Sequence, residues 1–99
     1  MPGCYILYSD ELEKYYVGCT QTDVKQRIKK HNEAGYGKNR FTARAHDWTL
    51  FLFIETTDFA HAVRVERKIK AMKSSVYIQN LAKYPEMKDK LYSQTWQST

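Results

Sequence analysis

Two short runs near the start of the chain, Gly3-Cys4-Tyr5-Ile6-Leu7-Tyr8 and Tyr15-Tyr16-Val17-Gly18, are separated by the polar stretch Ser9-Asp10-Glu11-Leu12-Glu13-Lys14. Runs rich in tyrosine and in aliphatic or β-branched residues on either side of a polar break predict a β-hairpin with a longer loop. If residue 5 pairs with residue 18, Tyr5 and Tyr16 share a face, because strand side chains alternate with period two. Two phenols then stand together on one side of a small sheet. The rest of the chain is read by what it brings to them.

A chain of 99 residues is one domain with a single modest core. The 42% hydrophobic and 27% charged content is that of an ordinary globular protein. No apolar run approaches the roughly 18 residues of a membrane span. Met1-Pro2-Gly3 has neither a charged n-region nor a long h-region, so the expected location is cytoplasmic. Cys4 and Cys19 would face each other across the hairpin. The expectation is two reduced thiols, with no spacing suited to zinc.

The net charge of +5 favours a polyanionic partner, with nucleic acid the obvious class. Its distribution says more. Lys25, Arg27, Lys29, Lys30, Lys38, Arg40 and Arg44 crowd one third of the chain, opposed after Asp23 by Glu33 alone. Lys30, Lys38, Arg40 and Arg44 are the expected nucleic-acid contacts.

Thr20 and Asp23 suggest a capping box, with Thr22 as the alternative cap, for a helix running to about Asn32. Arg27 and His31 lie four apart on one flank of it. A basic connection, 36–47, leads to Trp48-Thr49-Leu50-Phe51-Leu52-Phe53-Ile54, which reads as the central strand, buried on both sides. Thr56-Thr57-Asp58 opens a helix from about Phe59 to Met72, with a buried stripe of Phe59, Ala62, Val63, Glu66, Ile69 and either Met72 or Lys73. Glu66 is the anomaly on this stripe. A buried carboxylate must be paired, hydrogen-bonded, bound to a cation or open to a wet cleft. Further helices are expected over about 76–82 and 86–92, split by Pro85. A tail from Gln94 follows, with Trp96 as its anchor.

Tyr5, Tyr16, Arg27, His31 and Glu66 could converge on this plan. Metal-assisted phosphodiester cleavage uses such a set: an acidic oxygen for Mg²⁺, a base for the attacking water and an arginine on the phosphate. Each position also has a plain reading. The tyrosines suit any strand, Arg27 and His31 suit a solvated helix face, and Glu66 suits an ion pair, with Arg27 as one partner.

Gly3-Cys4-Tyr5, then Tyr16-Val17-Gly18, Arg27 and Glu66, in this order and spacing, resemble the GIY-YIG nuclease family, in particular its small stand-alone members. Asn32 after His31, Phe41-Thr42 and Glu66-Arg67-Lys68-Ile69-Lys70 add to the resemblance. It spans roughly residues 3 to 81. Cys4 and Val17 replace the usual isoleucines.

The resemblance implies an α/β (α+β) fold, a three-stranded antiparallel sheet flanked by helices in the order β-β-α-β-α-α. Residues 1–83 would form the nuclease-like domain and 84–99 a C-terminal helical extension. It implies one divalent cation, Mg²⁺ or Mn²⁺, held by Glu66, with Tyr5 as general base and Arg27 on the phosphate. Tyr16 and His31 would position phosphate or water, Gly18 would allow close backbone approach, and Asn80 is the candidate for a late site asparagine.

The function expected is that of a metal-dependent endonuclease, with DNA placed ahead of RNA as substrate and DNA repair as one setting. The alternatives are a non-catalytic nucleic-acid-binding module on the same fold and a protein-interaction adaptor whose charge is incidental.

Overall fold

The computed structural model describes residues 2–32 and 47–96, with Lys30 and His31 described for their backbone alone. Strand β1 (Gly3–Ser9) and strand β2 (Lys14–Thr20) form the expected antiparallel hairpin, with Tyr5 opposite Gly18 and Cys4 opposite Cys19. Helix α1 (Val24–Asn32), strand β3 (Thr49–Glu55) and helices α2 (Phe59–Met72), α3 (Ser75–Lys83) and α4 (Pro85–Thr95) follow. The sheet is antiparallel throughout, in the order β2-β1-β3.

This order corrects the expectation for the 48–54 run. β1 is the central strand and β3 is an edge. β1 pairs on both sides and is buried along most of its length, whereas β3 leaves Leu50 42% exposed. A register shift opposite Ile6 and Leu7 also breaks the β3 alternation. Its apolar run belongs to an edge strand covered in part on both faces.

The alternation of β1 divides the core in two. Cys4 and Ile6 point to one face and join Val17, Ile54, Val65, Ile69, Ile78, Leu81 and Leu91, an aliphatic cluster roofed by α2, α3 and α4. Tyr5 and Leu7 point to the other face and pack with Trp48 against Val24 and Ile28 of α1.

The helix caps follow from side chains. Asp23 itself caps α1, accepting the Lys25 N–H at 2.9 Å, so neither Thr20 nor Thr22 does so. Thr20 instead accepts the Thr22 N–H at 3.1 Å in the approach to the helix. Asp58 caps α2 through the His61 N–H at 2.8 Å, and Ser74 caps α3 through the Tyr77 N–H at 3.1 Å.

The buried stripe of α2 is His61, Ala62, Val65 and Ile69, rotated from the expected one. Phe59, Val63 and Glu66 flank it and are half-buried, while Met72 and Lys73 are exposed. The rotation follows from α4, which packs on α2 and buries His61 to 1% exposure.

Pro85 begins α4 rather than interrupting it, because the first helical position needs no N–H. α4 also runs past Tyr92, so Gln94 and Thr95 belong to the helix and not to a tail. Arg64 on α2 holds its end, donating to the Thr95 and Trp96 carbonyls, both at 2.7 Å. The His61 ring packs against Tyr92 and Trp96 at centroid distances of 4.5 and 5.3 Å. Trp96 rests against the His61 and Tyr92 rings while staying 46% exposed.

Candidate active site

The register brings the two motif tyrosines together. Their ring centroids are 6.4 Å apart on the α1 face of the sheet. Tyr5 is 3% exposed, and its ring lies across the backbone of its cross-strand partner. A Cβ placed on Gly18 would stand 2.6 Å from Tyr5 Oη and 2.7 Å from Cζ. Gly18 is therefore required for space. No described glycine has a positive φ.

Gly3 repeats the device one strand over. A Cβ there would meet Phe53 Cζ at 2.5 Å and the Ile54 carbonyl at 2.7 Å. Phe53 thus covers Gly3 while Tyr5 covers Gly18, and the rings lean in sequence across the sheet.

Glu66 stands on the other face, beside Cys19 and Lys70. Its Oε1 lies 3.7 Å from the Sγ of Cys19, whose thiol donates to it, and Cys19 belongs to the face roofed by α2. Its Oε2 pairs with Lys70 Nζ at 3.3 Å, one helical turn along, with 19% of the Glu66 side chain exposed. Lys70 Nζ also lies 6.0 Å from the Tyr16 ring centroid. Since β2 is an edge strand, Lys70 stands between the Glu66 carboxylate of one face and the Tyr16 ring of the other at its open side. The plain reading of Glu66 as an ion-pair member is thus met by Lys70.

Burial holds the Tyr5 hydroxyl above the usual tyrosine value, and Tyr16 adds to this. Arg27 on α1 opposes it, and Cys19 and Glu66 add smaller contributions in the raising direction. Arg27 is thus near enough for its charge to act on Tyr5. The Cys19 thiol is also raised, first by burial and then by Glu66. Tyr5, Tyr16, Arg27, Glu66 and, beside them, Cys19 and Lys70 form one electrostatic cluster. Cys19 and Lys70 were missed in the sequence. The position of Cys19 opposite Cys4 and the i, i+4 spacing of Lys70 from Glu66 were the available signals.

Lys38, Arg40 and Arg44 lie outside the described residues, as do the side chains of Lys30 and His31, though His31 sits in the last turn of α1. Asn80 is near the end of α3, where its carbonyl accepts the Tyr84 N–H at 2.8 Å.

Asn32 has a definite task. Its Nδ2 donates to the Trp48 carbonyl at 2.9 Å and its Oδ1 accepts the Trp48 N–H at 2.6 Å, so one amide satisfies both backbone groups of a buried residue. Next to it, Asp47 accepts from Ser9 Oγ at 2.5 Å and from the Glu11 N–H at 2.9 Å, which ties this point to the hairpin loop. Those bonds, that of Ser9 first, hold the Asp47 carboxyl below its usual value.

Comparison with protein families matches residues 1–80 to the GIY-YIG catalytic domain. The chain belongs to the GIY-YIG family. That family is of the nuclease type, its substrates are nucleic acids, and its members typically use divalent metals. Neither a curated protein nor a solved structure matches the chain significantly.

The donor set bears on which metal would fit. Among the described residues no three His, Cys, Asp or Glu side chains gather into a cage. A single partly exposed carboxylate, Glu66, suits a cation that keeps most of its waters. Mg²⁺ behaves in this way, and Zn²⁺ in a structural site does not.

Proposed function

We propose that this GIY-YIG domain is an active endonuclease, hydrolysing nucleic-acid phosphodiester bonds with one Mg²⁺ or Mn²⁺, with DNA placed ahead of RNA as the substrate to test. The observation that carries the reading is the packing of the Tyr5 ring on the Gly18 backbone, which fixes its hydroxyl beside Tyr16 and the Arg27 charge. Glu66 would hold the cation, which when bound supplies charge neutralisation at the phosphate and a more acidic water.

The protein's own groups divide the remaining work. Arg27 binds the phosphate oxygens and favours the charge that grows on them. Tyr16 and His31 orient the phosphate and the attacking water. Tyr5, as phenolate, takes a proton from that water as its oxygen bonds to phosphorus and the leaving oxygen departs. Cys19, donating to Glu66, holds the carboxylate in place.

The position of Tyr5 sets a pH dependence. Its raised value keeps the hydroxyl protonated at neutral pH, so the competent phenolate grows as pH rises. Cleavage should therefore accelerate from neutral towards alkaline pH. Tyr5→Phe should show a low rate without that rise, and an unchanged profile in that variant would remove Tyr5 as the base.

A second reading has its own observation. The Lys70–Glu66 pair occupies the carboxylate that a metal would need, as in a module that binds nucleic acid without cleaving it. The deciding experiment is incubation of plasmid DNA, single-stranded DNA and RNA with Mg²⁺, Mn²⁺ or EDTA, comparing the native chain with Glu66→Ala. Metal-dependent products that vanish in a folded Glu66→Ala support the nuclease. Binding without products supports the second reading.

The setting we propose is the cytoplasm, with DNA repair as one role. Two free thiols facing each other across β1 and β2 are in keeping with a reducing compartment.

A further inference from the structure

A cleft of about 400 Å³ runs along the open side of β2, between that strand and the junction of α2 with α3. Its floor is apolar, formed by Val17, Ile69 and Ile78. Its rims carry Lys14 on one side and Lys70 and Lys73 on the other, opposed by Glu13. All three lysines are exposed. None belongs to the basic 25–44 segment.

We propose that this cleft binds backbone phosphates of the nucleic acid on one side of the scissile bond. The inference rests on the nuclease reading and adds a direction for the strand. Lys70 makes the link, since it lines the cleft while touching Glu66 at 3.3 Å and lying 6.0 Å from the Tyr16 ring. A strand whose reacting phosphate lies at Tyr5, Tyr16 and Glu66 passes into this cleft if it continues along β2. Ammonium groups on flexible stems suit phosphates as point charges and carry no sequence preference.

The backbone at the two rims is unusual in the same sense. Glu13 (φ 53°) and Lys73 (φ 49°) are the non-glycine residues with left-handed backbone among those described, and both line this cleft. The residue that closes a helix in this conformation is commonly glycine. At the end of α2 it is a lysine, its N–H bonded to the Lys70 carbonyl at 3.2 Å. This turn places the Lys73 ammonium on the rim.

The test measures binding of the full chain in EDTA to a labelled DNA carrying a duplex and a single-stranded arm, by fluorescence anisotropy across a salt series. The Lys14→Ala/Lys73→Ala double variant should bind more weakly. Its slope of log affinity against log salt should be shallower by about 0.7–0.9 for each lysine removed. Lys90→Ala, on α4, should keep the native slope.

A native slope in the double variant, while the native protein binds and cleaves, overturns the cleft and leaves the nuclease reading standing. An equal loss in Lys90→Ala also overturns it, since the contact would then be diffuse. Failure of the native chain to bind this DNA overturns both.

Discussion

The two faces of the sheet are built on different principles. The face under α2, α3 and α4 is an aliphatic core in which Ile6, Val65, Leu81 and Leu91 are each no more than 1% exposed. The face under α1 carries rings and their polar ends, with Tyr5, Tyr16 and Trp48 over a roof of Val24 and Ile28. Close packing of methyl groups yields stability and tolerates little loss of volume. A face of phenols stacked on glycine backbone yields positions for hydroxyls. The cluster forms where the faces meet, at the open side of β2, so the aliphatic side contributes α2 as a rigid carrier for Glu66.

The largest expected effect separates the faces by stability. Leu91→Ala should cost about 2–5 kcal/mol in urea unfolding, the usual range for emptying a buried leucine site. Cleavage per folded molecule should stay as it was. A drop in kcat at full folding would mean that α4 also shapes the site.

Gly18→Ala tests the opposite face. The new methyl must push the Tyr5 ring away, and with Tyr5 as the proposed base a displacement of about 1 Å should cost on the order of 100-fold in rate. Gly3→Ala is the companion, because it presses on Phe53 and the Ile54 carbonyl and should reduce stability first. Equal loss of activity in both would erase the distinction between them.

Asn32→Ala removes two hydrogen bonds to the backbone of a buried tryptophan and should cost about 1–3 kcal/mol by thermal or urea unfolding. A cost near zero would show that water replaces the amide freely.

The smallest effect lies on the aliphatic side and is a pH dependence. His61 Nε2 is 2.9 Å from Thr95 Oγ1 and 3.2 Å from the Tyr92 carbonyl, while Nδ1 is buried without a partner. Burial holds its pKa below the usual histidine value, partly offset by the Tyr92 carbonyl. The unfolded chain therefore takes up this proton first, and the stabilisation is complete above about 6.5 and lost as pH falls through the folded value. His61→Gln should flatten the dependence of unfolding free energy on pH in that window.

Much of this was legible in the chain. The hairpin register followed from two tyrosine runs and a loop length, and the bounds of α2 from Thr56-Thr57-Asp58, whereas Glu66 was singled out from a stripe that the structure rotates and stands half-buried beside the buried one. The position of β3 was not legible, because an apolar run does not reveal which strand pairs on both sides. The rotation of the α2 stripe depended on α4 packing over His61, a tertiary contact that periodicity alone does not contain. The link from Glu66 to the tyrosine face was hidden as well. Strand alternation puts Cys19 on the opposite face, and Lys70, at the open edge of β2, stands between the Glu66 carboxylate and the Tyr16 ring.

The paired bonds at Asn32 and Asp47 have an evolutionary consequence. One latch joins the end of α1 to Trp48, and the other joins the adjoining residue to the hairpin loop. Selection on either residue is therefore felt at three places at once, the end of α1, the entry to β3 and the β1–β2 loop, so neither side chain can drift without loosening more than one element.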